Sequence, residues 1–317
     1  MNALQKLQAA IRNPQEATAT LERQSSKLAK IAVNDTPLRA AEIICGGILG
    51  WDRYIQLTGR EKLRKKQILD FEMYLDITDG GLSRDLLANG IREQLETQAY
   101  QQELRLIKEN VDNNTTILEL GANIGYYVLI AHSILDSDCQ MFAFEPHPDN
   151  VNILEKNILL NDIEELIKVE QCAVGNVDGE KTLEVSPYSN CHKVSDDPDQ
   201  GITVKTKTVD TILAERDISP GEVDVVRMDV EGYEWAIFEG MSTLLESNSN
   251  LLIFLEFHSS MSIERKQKLV DTFEKNNLEM MFVFQGRSTP NTDLKFEDLI
   301  EEDTGGTLIL KKRKVRL

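Results

Sequence analysis

Two glycines and two carboxylates define the chemistry open to this chain. The stretch Ile117-Leu-Glu119-Leu-Gly121-Ala122-Asn123-Ile124-Gly125-Tyr126 reads as the end of a strand, a tight turn and the start of a helix. Gly121 and Gly125 remove side chains where the backbone must turn sharply and a ligand can approach closely. The N-terminus of the following helix would offer unpaired N–H groups to a carboxylate or phosphate. Glu145 ends the next expected strand, 20 residues after Gly125. A carboxylate there can accept both hydrogen bonds from a ribose diol.

Both features suit a cofactor that contains a nucleoside. The dinucleotide fingerprint GxGxxG needs a second glycine against the pyrophosphate. Here Ala122-Asn123-Ile124 separate the two glycines and no third glycine follows. Glu119 adds an anion that would repel a pyrophosphate and welcome an ammonium. S-adenosylmethionine, with its amino group, sulfonium and adenosine, matches this set better than NAD. A nucleotide-dependent oxidoreductase is the competing enzyme class, and a non-catalytic cofactor-binding regulatory protein is the non-enzymatic alternative.

The elements that position these groups follow from the hydrophobic pattern. Short apolar runs at 116–120, 140–145, 167–174, 223–229, 251–257, 280–284 and 307–310 alternate with stretches of helical composition. That alternation predicts βαβ units and a mostly parallel sheet covered on both faces. The connection from Gln285 to Gly306 contains Pro290 and no obvious crossover helix, so the last two strands should form an antiparallel hairpin at the sheet edge. Residues 181–186 and 202–209 read as two extra strands flanking the polar loop Ser186–Gly201. Leu82 to Leu106 reads as one helix, preceded by the short strand Phe71–Asp76 and the turn Asp79-Gly80-Gly81.

Residues 1–70 show helical spacing at Leu4, Leu7 and Ile11 and again at Leu21, Leu28 and Ile31. They are expected to form a helical appendage to a catalytic domain spanning 71–317, with the basic run Arg60–Lys66 available for membrane-surface or subunit contact. The chain has 317 residues, with 35 Lys+Arg against 53 Asp+Glu and a formal net charge of −18. That excess argues against a nucleic-acid partner, which would need a basic face. Four scattered cysteines without a CxxC pair suit neither a disulfide framework nor a zinc site. With no apolar run long enough for a signal or a bilayer span, the expectation is a soluble cytoplasmic protein.

At this point the sequence resembles the FkbM-type S-adenosylmethionine-dependent methyltransferases. The likeness is carried by LELGANIGYY (118–127), FEPHPDNVNILEKNILLN (144–161) and VRMDVEGYEWAIFEG (226–240), with Ala173-Val174-Gly175 after the third strand. It implies the seven-stranded, Rossmann-like class I methyltransferase sheet with an antiparallel last strand. It also implies methylation of a hydroxyl on a sugar, glycolipid or other polyhydroxylated small molecule. Positions matching the motifs are expected to hold S-adenosylmethionine: Glu119, Gly121, Ala122, Asn123, Gly125, Tyr126, Glu145, Pro146, Ala173, Val174 and Asp229.

Ligands of open α/β sheets lie beyond the carboxyl ends of the strands. Asp229, Glu231 and His258 reach that edge and are the expected catalytic residues. An ordinary histidine titrates near 6.5, so His258 could act as a base at working pH. The sulfonium already activates the methyl group, so the protein has to align an oxygen behind it and help remove a proton. Asp229, Glu231 and Glu256 could offer oxygen ligands to a metal, but no spacing singles one out and none is expected. His192 and Lys193, in the 186–201 loop, could orient an oxygen-rich acceptor beneath a mobile lid. His147 is expected to shape its turn, and His132 to be structural.

Overall fold

The computed structural model describes residues 46, 50, 55–56, 61–110, 114–195, 197, 199, 201–284, 291, 293–300 and 305–312. The chain divides into two compact units, Met1–Arg92 and Glu93–Leu317, and the boundary expected near residue 70 falls inside the first. Most of the expected helical appendage lies outside the described residues; Gly46 and Ile55–Gln56 are helical.

In the first unit, β1 (Leu63–Ile68) and β2 (Phe71–Asp76) form an antiparallel hairpin. The helical expectation is therefore corrected for 63–68. Alternating burial and the cross-strand pair of Lys65 with Glu72, at 3.0 Å, place the basic run on a strand. Ile68, Phe71, Met73 and Leu75 are buried, as are Leu82 and Leu86 of α1 (Leu82–Asn89). Lys66 Nζ donates to Leu87 O at 2.6 Å, placing a cation at the helix C-terminus where carbonyls lack partners. The single helix expected over 82–106 is broken. Gly90, with φ +70°, ends α1 in the left-handed conformation, and Gln94 starts α2 (Gln94–Asn110) in the second unit.

The second unit is built on a seven-stranded sheet. Its strands are β3 (Thr115–Leu120), β4 (Cys139–Phe144), β5 (Ile167–Glu170), β10 (Val223–Met228), β11 (Leu252–Phe257), β12 (Leu278–Phe284) and β13 (Gly306–Lys312). The spatial order is β12-β13-β11-β10-β3-β4-β5, with β13 antiparallel to both neighbours and the other pairs parallel. This is the expected class I methyltransferase arrangement. The helices α3 (Tyr126–Leu135), α4 (Pro148–Leu160), α5 (Val209–Glu215), α6 (Glu234–Glu239), α7 (Ser242–Ser247) and α8 (Ile263–Lys275) fill the crossovers. All six residues of β3 are buried, as a central parallel strand covered on both faces requires.

A smaller sheet of order β6-β9-β7-β8 stands beside it, formed by β6 (Ala173–Val174), β7 (Gly179–Glu184), β8 (Lys193–Ser195) and β9 (Ile202–Lys207). The strand expected over 167–174 is thus two strands in different sheets. A tight turn, in which Cys172 N donates to Glu170 O at 3.0 Å, redirects the chain between them. The loop expected over 186–201 likewise contains a strand: Val194 pairs with Leu183, and both pack on Ala173 and Val204. No helix among the described residues is long and apolar enough to cross a membrane.

Candidate active site

The sheet reverses its winding between β3 and β10. From β3 the chain moves outward through β4 and β5, then returns to β10 on the other side of β3 and moves outward again. The carboxyl ends of these strands are tied together. Gly121 N and Ala122 N both donate to Phe144 O at 2.9 Å, and Asp229 N donates to Leu120 O at 3.1 Å. Gly121 has φ +85°, and a Cβ there would meet the Asp229 carbonyl oxygen at 2.1 Å. The chain leaving β10 therefore demands a glycine here.

A cleft opens at this point. Gly121, Asn123 and Glu145 line one part of it, and Asp229, Val230 and Glu231 another. Pro146, Ala173, Val174, Leu183 and Val194 supply an apolar wall. Ser189, Asn190 and His192 belong to the same lining. Most of the residues expected to hold a cofactor thus meet in one place.

Glu145 is 4% exposed yet carries a carboxylate. Oε2 accepts from Asn123 N at 2.9 Å; Oε1 accepts from His147 N at 2.9 Å and from Asn150 Nδ2 at 3.3 Å. Burial outweighs these bonds and pushes its pKa up from 4.5 to about 7. The N–H groups of the turn that precedes α3 are bonded within this corner, while the helix itself begins at Tyr126. Asn123 N serves Glu145, Ile124 N donates to Asn123 Oδ1 at 2.8 Å, and Gly125 N donates to Ala122 O at 2.9 Å.

The 186–192 segment is held against this corner. Asn123 Nδ2 and Asn150 Nδ2 both donate to Ser189 O, at 3.0 and 2.9 Å. Ser186 N donates to His192 Nδ1 at 3.0 Å, and the His192 ring stacks on His147 at 4.1 Å. The loop expected over the acceptor therefore borders the Glu145 side of the cleft as well as Asp229 and Glu231.

Four residues expected to hold the cofactor, Glu119, Ala122, Gly125 and Tyr126, lie outside the lining. Tyr126 is buried in α3, with its hydroxyl 3.2 Å from Thr97 Oγ1. Glu119 is paired with Arg227, which donates from Nη1 to Oε1 at 2.6 Å, so an ammonium would compete with a guanidinium already in place. The Arg227 guanidinium also sits 3.6 Å over the Tyr127 ring and 3.4 Å from Asp229 Oδ2. Burial opposes the charge on Arg227, but Glu119, Tyr127 and Asp229 outweigh it and hold its pKa above the ordinary value.

The expected catalytic residues do converge. Ligand-capable atoms of Asp229, Glu231 and His258 lie within 4.8 Å of one another. Glu231, with φ +57°, and Gly232, with φ +97°, form the turn after β10. Beneath that turn lies Glu234, fully buried, whose Oε1 accepts from Val230 N at 3.3 Å and Gly232 N at 3.2 Å. Burial drives its pKa up from 4.5 to about 7, against the pull of His258. Glu256 hydrogen-bonds to Asp229; burial, then the Asp229 charge, holds its pKa well above the carboxylate range.

The sequence reading missed Asn150, Arg227 and Glu234. Arg227 carried a signal, because a charge inside the apolar run VDVVRM must find a buried partner. Asn150 and Glu234 carried none that distinguishes them from ordinary first-turn residues of α4 and α6.

Residues 119–285 match the family model described as the methyltransferase FkbM domain. A hexuronic acid methyltransferase of Haloferax volcanii, AglP, is 27% identical over 175 residues, covering 54% of this chain and 67% of the relative. A solved FkbM methyltransferase of Methylobacillus flagellatus KT is 14% identical, covers 63% of this chain and 44% of its own, and has a TM-score of 0.40.

Proposed function

This chain belongs to the FkbM methyltransferase family, uses S-adenosylmethionine as its cofactor, and, we propose, transfers the methyl group to a hydroxyl oxygen of a carbohydrate acceptor. The observation that carries the reading is the placement of Glu145, a buried carboxylate lining the cleft whose Oε2 keeps one acceptor position beyond Asn123 N. A ribose hydroxyl fits that position. The second hydroxyl would displace the long contact from Asn150 Nδ2 on Oε1. Pro146, Ala173, Val174 and Leu183 offer the adenine an apolar surface, and Asp229 and Glu231 offer negative charge to the cationic end. The donor set thus fits S-adenosylmethionine region by region.

Bound S-adenosylmethionine supplies a methyl group already activated by its sulfonium. The residues around it bind, align and accept a proton. Asp229, Glu231 and His258, at the carboxyl ends of β10 and β11, are the polar groups that would orient the acceptor oxygen and deal with its proton. Holding the oxygen in line is the larger contribution, up to about 7–11 kcal/mol in ideal intramolecular cases. The carbohydrate class is supported by the hexuronic acid methyltransferase relative.

The direct test is calorimetric binding of S-adenosylmethionine, followed by release of S-adenosylhomocysteine with hexuronic acids, neutral sugars and simple alcohols. Turnover confined to the saccharides is expected. Binding with turnover on none of the saccharides would remove the carbohydrate reading, and no binding at all would remove the cofactor site.

A further inference from the structure

We infer that Asp229, Glu231 and His258 form a binding site for one divalent transition cation of the Mn²⁺ kind. Their ligand-capable atoms lie within 4.8 Å of one another, so small side-chain rotations bring all three onto one ion at distances of about 2.0–2.3 Å. The backbone prepares this. Asp229 ends β10, Glu231 sits two residues on in a turn with positive φ, and His258 follows the adjacent parallel strand β11.

A second observation concerns the buried side chain behind His258. Glu234 is 0% exposed, and its Oε1 lies 3.4 Å from His258 Nε2. Among the described residues, neither Glu234 Oε2 nor His258 Nε2 has a hydrogen-bond partner, although both atoms are buried. Buried polar atoms left in this way cost about 1–3 kcal/mol each and call for an explanation. A carboxylate behind a histidine is the arrangement by which metal-binding imidazoles are oriented and made more basic. On metal binding, a slight turn of the ring would complete the Glu234–His258 hydrogen bond.

Charge points the same way. Asp229 and Glu231 meet here, Glu256 hydrogen-bonds to Asp229, and Arg227 contacts Asp229 at 3.4 Å. Glu119 already takes the closer bond from that guanidinium, at 2.6 Å. A divalent cation would offset the remaining negative charge. Imidazole together with carboxylates suits Mn²⁺ or a neighbouring transition ion better than Ca²⁺ or Mg²⁺, which prefer all-oxygen shells.

The role of the ion rests on the methyl-transfer reading, whereas its binding does not. An acceptor hydroxyl bound to the cation would release its proton to a carboxylate or to solvent. The oxygen then forms the new C–O bond as the carbon–sulfur bond breaks, with that electron pair staying on sulfur. In this scheme His258 is a ligand and not the base.

The test uses the full chain, stripped with chelator and dialysed, without S-adenosylmethionine. Mn²⁺ binding is followed by loss of the free-ion electron paramagnetic resonance signal. One saturable site per chain is expected, weakened about tenfold or more in both Glu231→Gln and His258→Ala with unchanged circular-dichroism melts. In the wild type, electron spin echo modulation from an imidazole nitrogen should accompany the bound ion, a readout that needs no variant. No saturable site below about 1 mM, binding undiminished in both variants, or absence of nitrogen modulation would each overturn the assignment. Calorimetry with S-adenosylmethionine in excess chelator reports separately on the cofactor reading, so either can fail alone.

Discussion

Glu145 Oε2 accepts a hydrogen bond from the backbone N–H of Asn123 at 2.9 Å, joining the end of β4 to the turn that follows β3. The bond fixes a negative group in the corner of the cleft and satisfies a backbone donor of the turn between β3 and α3. Asn150 reinforces it by reaching both Glu145 and Ser189 O. One carboxylate thereby connects strand ends, the first turn of α4 and the 186–192 segment.

Replacing Glu145 by Ala is expected to weaken S-adenosylmethionine binding by about 1.5–3 kcal/mol, roughly 10- to 150-fold, because a charge-assisted acceptor is lost. Isothermal titration of wild type and variant checks this. Equal affinities would detach Glu145 from the ribose.

The same carboxyl carries a pH signature. Its pKa is about 7 in the folded state against 4.5 as the ordinary value. A raised folded pKa means that its contribution to stability is fully present below about 4.5 and is lost as pH rises through about 7. Glu145→Gln removes the ionisation. Stability of the variant relative to the unliganded wild type should therefore rise between pH 5 and pH 8, by on the order of 1–3 kcal/mol. Urea unfolding at the two pH values measures it, and a difference that falls or stays flat contradicts the assignment.

Arg227 and Glu119 are both buried and joined at 2.6 Å. Arg227→Met strands the Glu119 carboxylate and is expected to cost about 3–5 kcal/mol, whereas Arg227→Met combined with Glu119→Leu should recover most of that loss. Chemical denaturation of the two proteins decides it. A single variant within about 1 kcal/mol of wild type would mean the pair is not load-sharing in the way described.

Asn150→Ala removes one of the two side-chain donors to Ser189 O. Losing one hydrogen bond of about 1.4 kcal/mol should speed amide hydrogen exchange across 187–191 by about tenfold while leaving β3 and β10 protected. Unchanged exchange in that segment would show that the loop is held by other contacts.

Much of the fold was legible because local physics dominates it. Continuous apolar runs such as those of β3, β4 and β11, bounded by turn residues and alternating with helical stretches, fit buried strands of a mostly parallel sheet, and the missing crossover helix between β12 and β13 called for an antiparallel pair. The Gly121–Gly125 turn and the terminal carboxylate of β4 were legible for the same reason, since steric freedom and strand-end position are written locally. Errors arose where cross-strand pairing decided the outcome: residues 63–68 have helix-favouring lysines and arginines, yet join β2 in a hairpin.

What the sequence by itself determined is the order of elements, the sheet type and the identity of the charged groups at the strand ends. Only the tertiary structure decided how those charges are partnered. Glu119 and Arg227 are 108 residues apart in the chain and meet because β3 and β10 are neighbours in register. That contact gives Glu119 a buried partner within the sheet, while Glu234, hidden under the turn after β10, is brought behind His258 at the end of β11. Pairing between distant strands depends on register and on the balance of desolvation against Coulomb attraction, and neither is encoded in the spacing of residues along one segment.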